Sequence, residues 1–435
     1  MKKHFLLTVM LLVTLIAKAQ DLTQQAAQAF SSRDYYALRE LCLNHAENIN
    51  PVFLAMAQPV VALAFNKHEE AETAFNVLFE QHTNDIGLEN VMQMAYLTCR
   101  NYEVMQKYDF AASTCRQIVD IVESIDEVPN EAADGFRENL LRYTELAKYP
   151  ASTLDAKADG WTIPFTLMKK DMPRPSAQIN IASTINGHEA SVMLDTGAAA
   201  NFISPEYAEK LGLTPIGAQS LIKAGSSFRT GMAIAETMML GDMQLHNVLF
   251  SVVELKSGDE EKDKNIDVNI VVGAPIMRLM KEFTMDFGQS VITVPAVPNE
   301  YDEPNITFSP SDFMLLARCM HLGEPIDMNI DTGDTGEWAH LDASYYAAHQ
   351  AELDDITEEE EDHSAGIGGF TIENKKVLHD FALNVGGKEC IIPKLLVSKQ
   401  VNDQAAIAKS VLGLMFFCNQ RKVTISLPYS KMVLE

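Results

Sequence analysis

The tripeptide Asp-Thr-Gly stands twice in the chain, at Asp195-Thr196-Gly197 and at Asp331-Thr332-Gly333. Each copy is reached through a short apolar run, Val192-Met193-Leu194 and Met328-Asn329-Ile330. Each is followed about eighty residues on by an apolar-apolar-Gly triplet, Val271-Val272-Gly273 and Val411-Leu412-Gly413. Upstream, Gly187 and Gly323 each lie eight residues before their aspartate. Downstream, Thr284–Val294 matches Thr424–Leu434 at a constant offset of 140. Start, middle and end agree, so the second part of the chain reads as a duplicated unit. Two homologous β-rich lobes are expected at 160–298 and 304–435, joined through the proline-bearing stretch Pro295–Pro304.

Local signals support this division. From Trp161 onward Gly, Thr, Val and Ile rise, and short alternating runs are separated by turn dipeptides. Asn186-Gly187 predicts a hairpin between Ile179–Ile185 and Ala190–Leu194, with Leu322-Gly323 in the same place in the second unit. Residues 21–150 differ: glycine is nearly absent, and Ala, Leu, Glu and Gln dominate at helical spacing. Arg33-Asp34-Tyr35-Tyr36-Ala37 aligns with Lys67-His68-Glu69-Glu70-Ala71, placing two alanines 34 residues apart. That period resembles the tetratricopeptide repeat, in which a small residue lets paired helices approach. A third segment, Tyr108-Asp109-Phe110-Ala111-Ala112, reads as out of register. A plain helical bundle is the competing reading.

Composition excludes some functions. The formal charge is −26, from 60 acidic against 34 basic residues, which argues against nucleic acid as a partner. Residues 1–20 carry a charged start (Lys2, Lys3, His4), an apolar stretch from Phe5 to Ile16, and Ala17-Lys18-Ala19 before Gln20. They read as a secretory signal, giving an exported protein, periplasmic or secreted, of bacterial type. The apolar stretch is too short for a comfortable membrane span, and no later one is long enough. The six cysteines form no disulfide framework; Cys99–Cys115 is the first candidate for a bridge, and buried thiols are the alternative. No metal site or cofactor is expected from the Cys/His spacing.

The motif Leu194-Asp195-Thr196-Gly197-Ala198 with Phe202-Ile203-Ser204 resembles the aspartic peptidases. The resemblance covers about 270 residues, all after the helical domain. The D-T-G-A wording is closer to the retropepsin-like members, and two lobes in one chain to the pepsin-like ones. It implies a multidomain protein: an all-α, helical-repeat-like N-terminal domain followed by an all-β, two-lobed acid-protease fold. Asp195 and Asp331 would be the catalytic pair, sharing one proton and activating a water against a peptide bond. Thr196, Gly197, Thr332 and Gly333 would lock the two loops together.

The second loop departs from this pattern. It reads Asp331-Thr332-Gly333-Asp334-Thr335-Gly336, two tripeptides in tandem, so Asp334 is an alternative catalytic carboxyl. The preceding strand selects Asp331, whereas matching His340-Leu341 to Asn201-Phe202 favours Asp334; an insertion of three residues reconciles the two. Flap hairpins are expected at Gly225-Ser226 and Gly368-Gly369. The histidines at 246, 321, 340 and 363 read as exposed or core residues, and the acidic segment Glu352–Asp362 as a mobile loop. The partners implied are a peptide or protein substrate, and a protein partner for the helical domain. A catalytically impaired peptide-binding module, with the helical domain recruiting that partner, is the alternative function. The helical domain could equally be a propeptide-like cover for the cleft.

Overall fold

The computed structural model describes residues 21–435 except 127, 171–175, 225, 256–267, 337, 367–368 and 400–409. The expected leader therefore lies outside the described residues, as do Gly225 and Gly368. Contacts divide the chain into a helical unit, up to Leu140 together with Phe308–Ser311, and a β-rich unit, Leu141–Thr307 with Asp312–Glu435.

The helical unit begins with residues 21–31, followed by Tyr35–Asn44, Pro51–Ala64, His68–Val104 and Tyr108–Glu123. The helix His68–Val104 is broken at Gly87, whose φ of 75° is non-helical. One turn recurs three times. Arg33, Asn66 and Gln106 all take positive φ, and the next residue's amide bonds back five positions, as Asp34 to Ala29, Lys67 to Ala62 and Lys107 to Tyr102. The first amides of the following helices then pair Leu38, Ala71 and Ala111 as equivalents. Thus Leu38, not Ala37, matches Ala71, and the period is 33 rather than 34 residues. The segment at Tyr108–Ala112 shares the same turn. Its spacing differs because the preceding helix is longer. Cys99 and Cys115 are both buried, with sulfurs 3.4 Å apart and no disulfide.

Among the described residues, the strands of the β-rich unit form sheets of nine, eight and five. The hairpin turns follow from their residues: Asn186 and Gly187 have φ of 48° and 81°, and Leu322 and Gly323 have 49° and 88°. Both turns are of the doubly left-handed kind that matches strand twist. They join Ser176–Ile185 to His188–Leu194, and Leu315–His321 to Glu324–Asp331.

The five-stranded sheet displays the duplication. Its central strands, Glu282–Asp286 and Lys422–Ser426, run antiparallel with Thr284 opposite Thr424, and the two hydroxyls lie 2.7 Å apart. These threonines are counterparts at the sequence offset of 140, so an approximate two-fold axis passes between them.

The acidic segment is not a loop throughout. Glu352 belongs to the short helix Gln350–Asp354, and Glu359–Gly366 is a strand paired with Gly369–Val385. Its charges are matched from neighbouring strands and the chain beyond: Asp362 with Lys375 at 2.7 Å, Glu359 with Lys376 and Lys399, and Glu360 with Lys394. Asp362 and Lys375 are both buried.

Candidate active site

In each half the tripeptide leaves the end of a strand that pairs in parallel with the apolar-apolar-Gly triplet. Val272 lies beside Leu194, and Leu412 beside Ile330. The triplet pairs on its other side with a short antiparallel strand, Phe202–Ile203 in the first half and Ala339–Leu341 in the second. Apolar residues on both sides bury these strands. The loop that follows is held partly by backbone bonds, such as Asp195 N–H to the Val272 carbonyl at 3.0 Å, and partly by its own side chains.

The two loops meet head to head. Thr196 N–H donates to Thr332 Oγ1 at 3.0 Å, and Thr332 N–H donates to Thr196 Oγ1 at 2.9 Å. The Thr196 hydroxyl donates onward to the Ile330 carbonyl at 2.8 Å, and the Thr332 hydroxyl to the Leu194 carbonyl at 3.0 Å. Both threonines are buried. Four reciprocal bonds in a dry setting leave little freedom for one loop to move without the other.

This lock brings the two carboxyls together. Asp195 Oδ1 accepts from Gly197 N–H at 2.8 Å, and Asp331 Oδ1 accepts from Gly333 N–H at 2.8 Å. The two carboxyls lie close enough to act on each other's charge. The glycines are required by space. A Cβ on Gly197 would lie 2.4 Å from Asp331 Cγ, and one on Gly333 2.4 Å from Asp195 Cγ.

Burial raises both carboxyls above the ordinary aspartate range. The charges of Asp195 and Asp334 push Asp331 further up. Two buried carboxyls raised in this way favour one proton held between them over two charges.

Asp334 is not at the meeting point. Its carbonyl accepts from Leu414 N–H at 2.8 Å, as the Ala198 carbonyl accepts from Ala274 N–H at 2.8 Å. It therefore occupies the place of Ala198, and its own N–H donates to Asp331 Oδ1 at 3.1 Å. Beyond it, His340 faces Val411 as Phe202 faces Val271. From Asp331 to His340 is nine residues and from Asp195 to Phe202 seven, so the insertion is of two residues, not three. Ser204 and Asp342 then cap equivalent helices, Pro205–Lys210 and Ala343–Ala348.

His340 is a site residue that sequence reasoning missed. Its Nδ1 lies 3.3 Å from Asp334 Oδ2. The usable signal was its position opposite the Val411 triplet. The other described histidines have local roles: His246 contacts Asp155 at 3.0 Å, and His321 stacks on Phe381 at 3.9 Å. The side chain of His363 lies outside the described residues. Among the described residues no group of three His, Cys, Asp or Glu could hold a metal ion, and no helix is long and apolar enough to cross a membrane.

Hairpins stand at both places where flaps are expected. Thr214–Ala224 pairs with Ser226–Leu240 up to Ala224 opposite Ser226, and Glu359–Gly366 pairs with Gly369–Val385 up to Gly366 opposite Gly369. Ser226 and Gly369 thus open the returning strands. The tip residues Gly225 and Gly368 lie outside the described residues.

No curated protein matches the sequence. Among solved structures, basic 7S globulin from soybean is 12% identical with a TM-score of 0.39, covering 64% of this chain and 95% of its own. Conglutin gamma, a basic 7S globulin from lupine seeds, is 11% identical with a TM-score of 0.39 and the same coverage. A retropepsin-like aspartic protease from Rickettsia conorii is 17% identical with a TM-score of 0.21, covering 34% of this chain and 95% of its own. A family model described as aspartyl protease matches residues 181–275, a stretch that includes Asp195 and its Gly273 triplet but ends before Asp331. Over residues 181–275 the chain is thus similar to the aspartyl protease family.

Proposed function

We propose that the protein is an exported aspartic endopeptidase, its β-rich unit a two-lobed acid protease and Asp195 and Asp331 its catalytic pair. The observation that supports this most is the reciprocal threonine lock, which holds two carboxyls close enough to act on each other's charge. Two such groups cannot both ionise readily, so one proton is shared at working pH. Ionised Asp195 takes a proton from water as its oxygen adds to the scissile carbonyl carbon. Protonated Asp331 gives its proton to the carbonyl oxygen. The C–N bond of the resulting gem-diol then breaks. Asp195 returns its proton to the leaving nitrogen, and Asp331 recovers one from the hydroxyl. The flanking hairpins would cover an extended peptide by strand addition. The helical unit, with its recurring turns, is read as a tetratricopeptide-like platform for a protein partner, and the leader at 1–20 as the export signal.

The test is cleavage of a mixed peptide library by the purified chain from acid to neutral pH, read by mass spectrometry. Cleavage that disappears in both Asp195→Asn and Asp331→Asn supports the assignment. Cleavage that survives Asp331→Asn but not Asp334→Asn moves the second role to Asp334.

A further inference from the structure

The two halves differ chemically at one set of matched positions beside the carboxyl pair. In the first half, Met193, Ala198, Phe202, Val253 and Val271 form an apolar cluster. Phe228, from the strand of the first flap hairpin, packs against it. The cluster thus lies between the Asp-Thr-Gly loop and that hairpin. In the second half, Asn329 lies beside Val411 as Met193 lies beside Val271, and His340 faces Val411 as Phe202 faces Val271. Residues directly opposite in neighbouring strands share a face of the sheet. Asp334 stands at the Ala198 position. Three apolar side chains of the first half therefore have polar counterparts, Asn329, Asp334 and His340.

This polar set is incompletely satisfied. Asn329 is 3% exposed, and its Oδ1 has no hydrogen-bond partner among the described residues. Asp334 Oδ2 is likewise enclosed with no hydrogen-bond partner among the described residues, and His340 Nδ1 lies 3.3 Å from it. Buried polar atoms without partners are costly, and few are kept in native proteins. Both orphaned atoms are acceptors and one carries negative charge. The complementary group is a cation rich in N–H donors, such as a lysine ammonium or an arginine guanidinium.

We propose that Asn329, Asp334 and His340 form a specificity pocket for a basic side chain of the substrate, while the matched pocket of the first half takes an apolar one. This rests on the peptidase reading above. The substrate is then an extended peptide with a Lys or Arg on one side of the scissile bond and a large apolar residue on the other. The Asp334 amide bonds Asp331 Oδ1, so this pocket adjoins the reacting carboxyls and binding there aligns the peptide with them.

The experiment uses the full chain and peptide sets in which each position around the cleaved bond carries either lysine or norleucine, its uncharged analogue. Two readouts are taken: kcat/KM for the wild type, and peptide Kd for the non-cleaving Asp195→Asn variant. Lysine is expected to win at one position by about 10-fold or more in both, since a polar pocket rejects a partner that leaves its groups unpaired. Asn329→Met combined with Asp334→Ala should remove or invert that preference, and the isosteric Asp334→Asn should weaken it in a chain whose denaturation midpoint confirms folding. Equal use of lysine and norleucine at every position, or a preference unchanged by these substitutions, overturns the proposal. Should no peptide be cleaved at all, the peptidase reading fails, and the Kd comparison still decides whether the pocket selects a cation.

Discussion

Replacing Thr332 by valine keeps the shape of a fully buried side chain and deletes one hydroxyl. That hydroxyl accepts from Thr196 N–H at 3.0 Å and donates to the Leu194 carbonyl at 3.0 Å. The Thr196 amide is left unpaired in a dry environment, at about 1–3 kcal/mol, and the Leu194 carbonyl loses a bond worth about 0.5–1.5 kcal/mol. The expected loss is roughly 2–4 kcal/mol, a large share of the stability of an ordinary domain. Both tryptophans of the chain, Trp161 and Trp338, belong to the β-rich unit, so fluorescence during urea unfolding reports on that unit alone. The midpoint should fall with little change in slope. Thr196→Val should cost a similar amount, because it orphans Thr332 N–H and the Ile330 carbonyl in the same way. A change below about 0.5 kcal/mol in both variants would refute the claim that these threonines lock the loops, since that is the size of an ordinary surface substitution.

Other substitutions probe the same geometry. Gly197→Ala would set a methyl group 2.4 Å from Asp331 Cγ and displace that carboxyl; cleavage should fall by about 100-fold or more, read as kcat/KM on one peptide. Asp334→Asn removes a negative charge that holds the Asp331 carboxyl up, so Asp331 loses its proton at lower pH and the high-pH limb of the activity profile moves toward acid. A limb that stays put or moves toward base would contradict the stated cause. Lys375→Met removes the positive charge 2.7 Å from the buried Asp362 carboxylate and should lower the urea midpoint, and adding Asp362→Leu should recover most of the loss.

Much of the β-rich unit was legible because its signals are local or repeated. The turns at Asn186-Gly187 and Leu322-Gly323 announce themselves by residue type. The constant offset of 140 between Thr284 and Thr424 foretells two strands that prove to face each other across the central sheet. What could not be read locally depends on distant partners. The acids at 359–362 form a charge run in sequence, and only strand pairing brings Lys375, Lys376, Lys394 and Lys399 beside them. Asn329 sits in a run counted as apolar, so its conflict with Met193 at the matched position is invisible until the strands are paired. His340 was set aside for want of a second ligand at metal spacing, yet its partner, Asp334, is six residues away across the inserted loop. The same insertion, two residues rather than three, hid which tripeptide aligns. In the helices, a match by alanine identity shifted the register by one, because the turn's positive φ at Arg33 and Asn66 carries the repeat and the alanine does not.

The central claim is that Asp195 and Asp331 together activate water against a peptide bond. Single-turnover cleavage in ¹⁸O-enriched water tests it most directly. The account predicts one ¹⁸O atom in each newly formed carboxyl group, and no turnover in either Asp195→Asn or Asp331→Asn while both variants remain folded by tryptophan fluorescence. Turnover persisting in either variant, or a new carboxyl group without solvent oxygen, would contradict it.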